Sequence, residues 1–173
     1  TTPVYDAVSG ATPLAKWKFD GDVTVVSDLV MGLTSGSTGE TSAILIVLGG
    51  LYLFARNVIN WRIPVSILAT VFALSGVFHL IDAATYPGPL FMLFAGSVML
   101  GAVFMATDPV ASPVTNKGCV LYGILIGALV VVIRLWGGLP EGVMYAILLA
   151  NAVSPHIDSL IQPPVYGAKR GST

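Results

Sequence analysis

The chain has 173 residues, of which 55% are hydrophobic and only 10% charged, with a formal net charge of -1 and a mean hydropathy of +0.85. Such a balance lies outside the range of soluble globular domains and describes an integral membrane protein whose main partner is the lipid bilayer. It excludes nucleic acid, for which there is no basic surplus. It also excludes an internal disulfide and a Cys-only metal site, because Cys119 is the single cysteine and His79 and His156 are scattered, so no metal is expected.

In chain order, residues 1–40 form a polar segment that leads into the first apolar run, and no basic n-region or apolar h-region of a signal peptide is present in it. With Thr1 in place of an initiator Met, the chain reads as a piece of a longer protein. Apolar runs then follow, cut by Pro, Gly and charged residues, and they predict about five membrane segments within 41–162. The first, about 41–56 (TSAILIVLGGLYLFA and the next residue), reaches the ~20 residues needed for a ~30 Å core only if preceding residues extend it. The others are expected at about 63–81, 89–106, 119–136 and 140–161. Pro64 falls in a first turn, where a missing N–H costs little, whereas Pro155 predicts a kink or break. Residues 163–173 form an irregular tail.

Several polar positions along these runs admit both a functional and a plain reading. SGSTGETSA (Ser35–Ala43) opens the first helix, and Gly39, Glu40 and Thr41 would suit an anion or polar ligand at a helix N-terminus. The same run also reads as a capped helix start. Asp108, in Thr107-Asp108-Pro109, is either on an ion route or a turn cap at the interface, and Gly96, Ser97 and Gly101 before it suit close helix packing. Glu141 and Asp158 carry the same two readings, as helix-terminal charges or ion-path residues. Arg134 can pair with Glu141 across the GGLP turn or reach for the interface. His79 and Asp82 read as interfacial polar groups, and Trp17, Trp61 and Trp136 as anchors near run ends. No dinucleotide fingerprint is present.

With five crossings the ends lie on opposite sides. Arg56, Arg62, Lys117, Lys169 and Arg170 fall on one side and Lys16, Lys18 and Arg134 on the other. The positive excess makes the first side cytoplasmic and the 1–40 segment extracytoplasmic.

That segment carries the most specific motif, Asp6, Ser9, Gly10, Ala11 and Thr12 in D-x-x-S-G-A-T. Gly10 and Ala11 leave the Thr12 hydroxyl accessible as a nucleophile. The motif, with SGSTGETSA, WRIP (Trp61–Pro64), GAVFMATDPV (Gly101–Val110), PEGVMYAILLAN (Pro140–Asn151), the ID at 157–158 and PPVYG (Pro163–Gly167), resembles the D subunits of Rnf complexes. These are ion-translocating ferredoxin:NAD oxidoreductases of bacterial and some archaeal membranes. The chain is also similar to the B subunits of Na+-translocating NADH:quinone reductases.

The resemblance implies an all-α polytopic membrane helix bundle, with this chain as the C-terminal half of a subunit of about ten helices in two repeat-like halves. It implies a multi-pass protein of the bacterial or archaeal cell membrane, with FMN esterified through its phosphate to Thr12 and Asp6, Ser9, Gly10 and Ala11 as the attachment motif. The partners would be the other membrane subunits of the complex, including a second flavinylated subunit, and Na+ or H+ would be the coupled ion. A second, non-covalently held flavin (riboflavin) is left open, and Gly39, Glu40 and Thr41 would be flavin or ion contacts. Catalysis would belong to the complex and not to this chain alone. Two competing expectations are a redox-silent channel or transporter half, with Thr12 unmodified, and a purely structural membrane subunit.

Overall fold

The computed structural model describes residues 12–21, 25–32, 42–83, 85–139 and 141–163. Among these residues all regular structure is helical: α1 (Pro13–Asp20), α2 (Val26–Met31), α3 (Ala43–Ala55), α4 (Arg62–Ile81), α5 (Pro89–Phe94), α6 (Val98–Leu100) running into a π-helical turn (Gly101–Met105), α7 (Asn116–Trp136) and α8 (Val143–Leu160). The helices α4 and α7 are long and apolar enough to cross a membrane, and α3 is a shorter apolar helix. Large aliphatic side chains point outward, with Leu45, Leu80 and Leu148 each more than 60% exposed. Contiguous apolar surface of this kind is costly in water and suits a bilayer.

The centre of the bundle is α7, and its glycines explain why. A Cβ on Gly123 would stand 1.8 Å from Ser66 Oγ, and one on Gly127 would stand 2.7 Å from Thr70 Cβ and 3.0 Å from the Ile67 carbonyl oxygen. The G-x-x-x-G spacing therefore lets α4 and α7 run in backbone proximity, as small residues do where no hydrophobic drive separates helix from lipid. Phe78 and Trp136 meet edge-on at 5.2 Å near the far ends of the same two helices, so α4 and α7 are parallel. The opposite flank of α7 holds α8 antiparallel, with Ile157 against Gly118, Tyr122 donating to Asn151 Oδ1, and Ile133 against Gly142. Ile67, Val71, Ile126, Val130, Ala146 and Ala150 fill the shared core.

Several expectations change. The polar segment 1–40 contains two short helices. α1 is set by Thr12 as N-cap, Pro13 in the first turn, and Gly21 at φ 73° as a left-handed C-cap whose N–H reaches the Trp17 carbonyl at 3.1 Å. α2 ends likewise at Gly32, φ 80°. The first apolar run is not extended by preceding residues, because Ser42 is extended (φ -103°, ψ 102°). The 13 residues of α3 rise about 20 Å, short of a ~30 Å core. The run 89–106 is broken at Ala95–Ser97, where Gly96 adopts φ 68°. Pro155 does not break α8, which continues through it to Leu160, so the loss is confined to one N–H. Finally, α7 begins three residues earlier than expected, because Thr115 Oγ1 accepts from Gly118 N at 3.1 Å.

Candidate functional site

Thr12 is the residue of the D-x-x-S-G-A-T motif that the described structure contains. Its backbone is extended (φ -64°, ψ 152°), as a residue before proline must be, and its half-buried Oγ1 accepts from Ala15 N at 3.3 Å. Asp6, Ser9, Gly10 and Ala11 lie outside the described residues, as do Gly39, Glu40 and Thr41.

What the structure adds is how firmly Thr12 is mounted. Leu14 is fully buried in a cluster with Leu29, Phe91 and Ala95, and Trp17 meets Phe91 edge-on at 6.4 Å. At the other end of α1, Lys18 Nζ donates to the carbonyls of Arg134 (2.9 Å), Gly137 (2.5 Å) and Leu139 (2.9 Å). These are carbonyls at the C-terminal end of α7, where an ammonium satisfies acceptors left open by the helix and complements its dipole. Burial lowers the Lys18 pKa from its usual 10.5. Lys18→Met is expected to loosen this joint by about 1–2 kcal/mol. Hydrogen exchange checks it: the amides of 14–20 should exchange faster, with those of α8 unchanged.

The surface on which α1 sits is the break between α5 and α6. Arg134, fully buried near the end of α7, donates from Nη1 to the Met92 carbonyl at 2.7 Å and from Nη2 to the Ala95 carbonyl at 2.8 Å. These acceptors belong to the end of α5, and a planar guanidinium reaches both at once. Glu141 closes the cluster. Ser97 Oγ donates to its Oε2 at 3.2 Å, and its Oε1 and Arg134 Nη2 each stand 3.1 Å from the point a Cβ on Gly96 would occupy. Arg134 therefore does not reach for the interface; it converges with Glu141 on Gly96. One helix end, one helix break and the Thr12-bearing helix are joined through Ala95, Arg134 and Lys18.

The remaining acids lie elsewhere. Asp108 is exposed and its Oδ1 accepts from Val110 N at 3.1 Å within its own turn. Asp158 Oδ1 accepts from Val114 N at 3.1 Å, tying the loop before α7 to the end of α8. Both belong to the end of the bundle opposite Glu141, so the three ion-path residues are not brought together. His79 Nδ1 lies 2.8 Å from the Tyr86 carbonyl, and Cys119 is buried with its thiol donating to the Pro113 carbonyl at 3.1 Å. Among the described residues no group of three His, Cys, Asp or Glu could hold a metal. Two contributors were missed in the sequence: Lys18, which follows the Thr12 motif by less than two turns, and the G-x-x-x-G of α7, whose signal is plain in the spacing.

Comparison with known proteins identifies the family. Residues 1–167 match the family described as NQR2, RnfD, RnfE. The chain is 45% identical over 175 residues to the D subunit of the proton-translocating ferredoxin:NAD(+) oxidoreductase complex of Clostridium ljungdahlii, covering 95% of this chain and 53% of that protein. It is 43% identical over 174 residues to the D subunit of the ion-translocating oxidoreductase complex of Stutzerimonas stutzeri, covering 94% and 49%. To the D subunit of the Na(+)-translocating ferredoxin:NAD(+) oxidoreductase complex of Acetobacterium woodii it is 41% identical over 172 residues, covering 97% and 52%. The chain thus spans about half the length of the curated relatives it matches. With the match running from the Thr12 motif through α8, the chain belongs to the NQR2, RnfD, RnfE family.

Proposed function

We propose that this chain is part of a membrane electron-relay subunit that carries FMN esterified to Thr12 and works in a complex coupling ferredoxin:NAD electron transfer to Na+ or H+ movement. The observation that carries the reading is the mounting of Thr12. Its hydroxyl caps the N-terminus of α1, where the positive end of the helix dipole favours a phosphate, while Pro13 carries no N–H and the amides of Ala15 and Lys16 donate to Thr12 itself. The helix itself is fixed to α5 and α7. When bound, the flavin supplies the electron transfer, and the chain's residues hold it in place and set its surroundings. Leu14 and Lys18 fix the helix, and Arg134 fixes what lies beneath it.

In this reading the chain crosses the membrane five times. α3, the α5–α6 run and α8 pass in one direction and α4 and α7 in the other, and the excess of Lys and Arg at the opposite side favours an extracytoplasmic Thr12. A short α3 packed beside a broken α5–α6 is the kind of discontinuity found where transporters handle ions. Glu141 stands at that break, and Asp108 and Asp158 stand at the opposite end. The same discontinuity would serve a redox-silent transporter half, and Thr12 separates the two. In membrane vesicles containing the assembled complex, Thr12→Ala is expected to abolish the attached flavin and both ferredoxin:NAD electron transfer and the ion gradient it drives. Electron transfer and ion movement that persist unchanged would refute the relay reading.

A further inference from the structure

α8 is buried on one side only. Val143, Ala146, Ala150 and Ile157 line its contact with α7 and the π-helical turn at no more than 3% exposure, whereas Met144 and Leu148, on the next ridge of the helix, are 64% and 67% exposed. Asn151 and Pro155 continue that ridge, three and seven residues after Leu148. We propose that this ridge is the seam with the other half of the full-length subunit, and that Asn151 pins it by donating its amide to an oxygen acceptor on a membrane helix of that half. The inference rests on the reading above only in taking α8 to cross the membrane.

Asn151 lies eight residues after Val143 and nine before Leu160, about 12 to 14 Å along the axis from either end of α8, so its side chain sits at the depth of the hydrocarbon centre. Tyr122 donates to its Oδ1, which fixes the amide plane, and among the described residues nothing accepts from its Nδ2. Pro155, four residues on, has no N–H to give the Asn151 carbonyl. Polar groups at that depth are costly unless bonded, and a lipid tail has nothing to bond with. An apolar ridge alone suits lipid and helix equally. The amide nitrogen within it selects a polypeptide bearing an acceptor, as membrane helices do when they bond across an Asn. The occupant follows from length. This chain spans 53%, 49% and 52% of the three relatives above, so each of those subunits holds about as much polypeptide again. A covalently joined half reaches the ridge at a far higher effective concentration than a second copy or a separate subunit.

The test uses the full-length subunit in membranes containing the assembled complex. A photoreactive p-benzoylphenylalanine placed at Leu148 inserts into a neighbouring C–H bond on irradiation, and protease digestion with mass spectrometry identifies what it joined. The expected product is a cross-link within the subunit, to a peptide from outside residues 1–173. Lipid adducts, cross-links to another copy or another subunit, or no adduct at all overturn the assignment. The role of Asn151 is read separately, from the thermal unfolding midpoint of the full-length subunit in detergent. Asn151→Leu is expected to lower it by more than Tyr122→Phe does, and to lower it again when added to Tyr122→Phe, because the amide has a second partner. No further fall in the double variant overturns the pin, since Tyr122 would then be the only partner Asn151 has. Neither readout depends on flavin, so an unmodified Thr12 would overturn the relay reading and leave both results standing.

Discussion

Arg134→Met destabilises the bundle by about 3–5 kcal/mol, the usual cost of removing one member of a buried charged cluster. Methionine keeps the packing of the arginine stem, so the loss is that of the buried guanidinium head. It comes from the carbonyls of Met92 and Ala95, which lose donors at 2.7 and 2.8 Å, and from the Glu141 carboxylate, which loses the guanidinium facing it across Gly96. Unpaired acceptors and an uncompensated acid at the edge of an apolar core are costly. Denaturant titration of the full-length protein in detergent measures the loss. The cluster also predicts non-additivity: adding Glu141→Gln to Arg134→Met recovers part of it, about 0.5–3 kcal/mol, whereas independent sites would add. A double variant as unstable as the sum of the singles would show that Arg134 and Glu141 do not act together.

Gly127→Leu is the second large effect, at about 3 kcal/mol or more, since forcing bulk into a close-packed contact costs about 1–3 kcal/mol even where neighbours can shift. Here they cannot. The new Cβ would lie 2.7 Å from Thr70 Cβ and 3.0 Å from the Ile67 carbonyl oxygen, atoms fixed to the α4 backbone, so α4 must move away from α7 along its length. Gly76→Ala on α4 is the matched control. A Cβ there meets nothing within 4 Å, and removing a mid-helix glycine should be neutral or stabilise by up to about 1 kcal/mol. Equal destabilisation by the two changes would mean that the G-x-x-x-G contact does not hold the helices together.

How much of this was legible in the sequence depends on whether the signal was local. The extents of α3, α4 and α8 follow from apolar runs bounded by polar residues and Pro64, and the structure places each within about three residues of the expected limits. The break at Gly96 did not show, because its cause is tertiary: Gly96 is permissive anywhere, and only Arg134, reaching across from α7, supplies donors for the opened carbonyls. A hydropathy run counts Phe94, Ala95 and Val98 as one helix. The helices α1 and α2 were missed for the opposite reason. They are short and polar enough to read as lead-in, and their Gly21 and Gly32 caps were legible only to a search for caps. At the site, the Thr12 motif is plain in the sequence, whereas Lys18 reads there as a loop charge because its acceptors are 116 to 121 residues away.

The central claim is a flavin covalently held at Thr12, and the most direct measurement is the mass and fragmentation of the tryptic peptide that ends at Lys16. The protein should come from a host with the flavin transferase. The account predicts a peptide heavier by FMN less one water, with fragment ions that place the addition on Thr12, and loss of that addition in Thr12→Ala. An unmodified peptide from such a host, or an adduct on Ser9 or another hydroxyl, would contradict it.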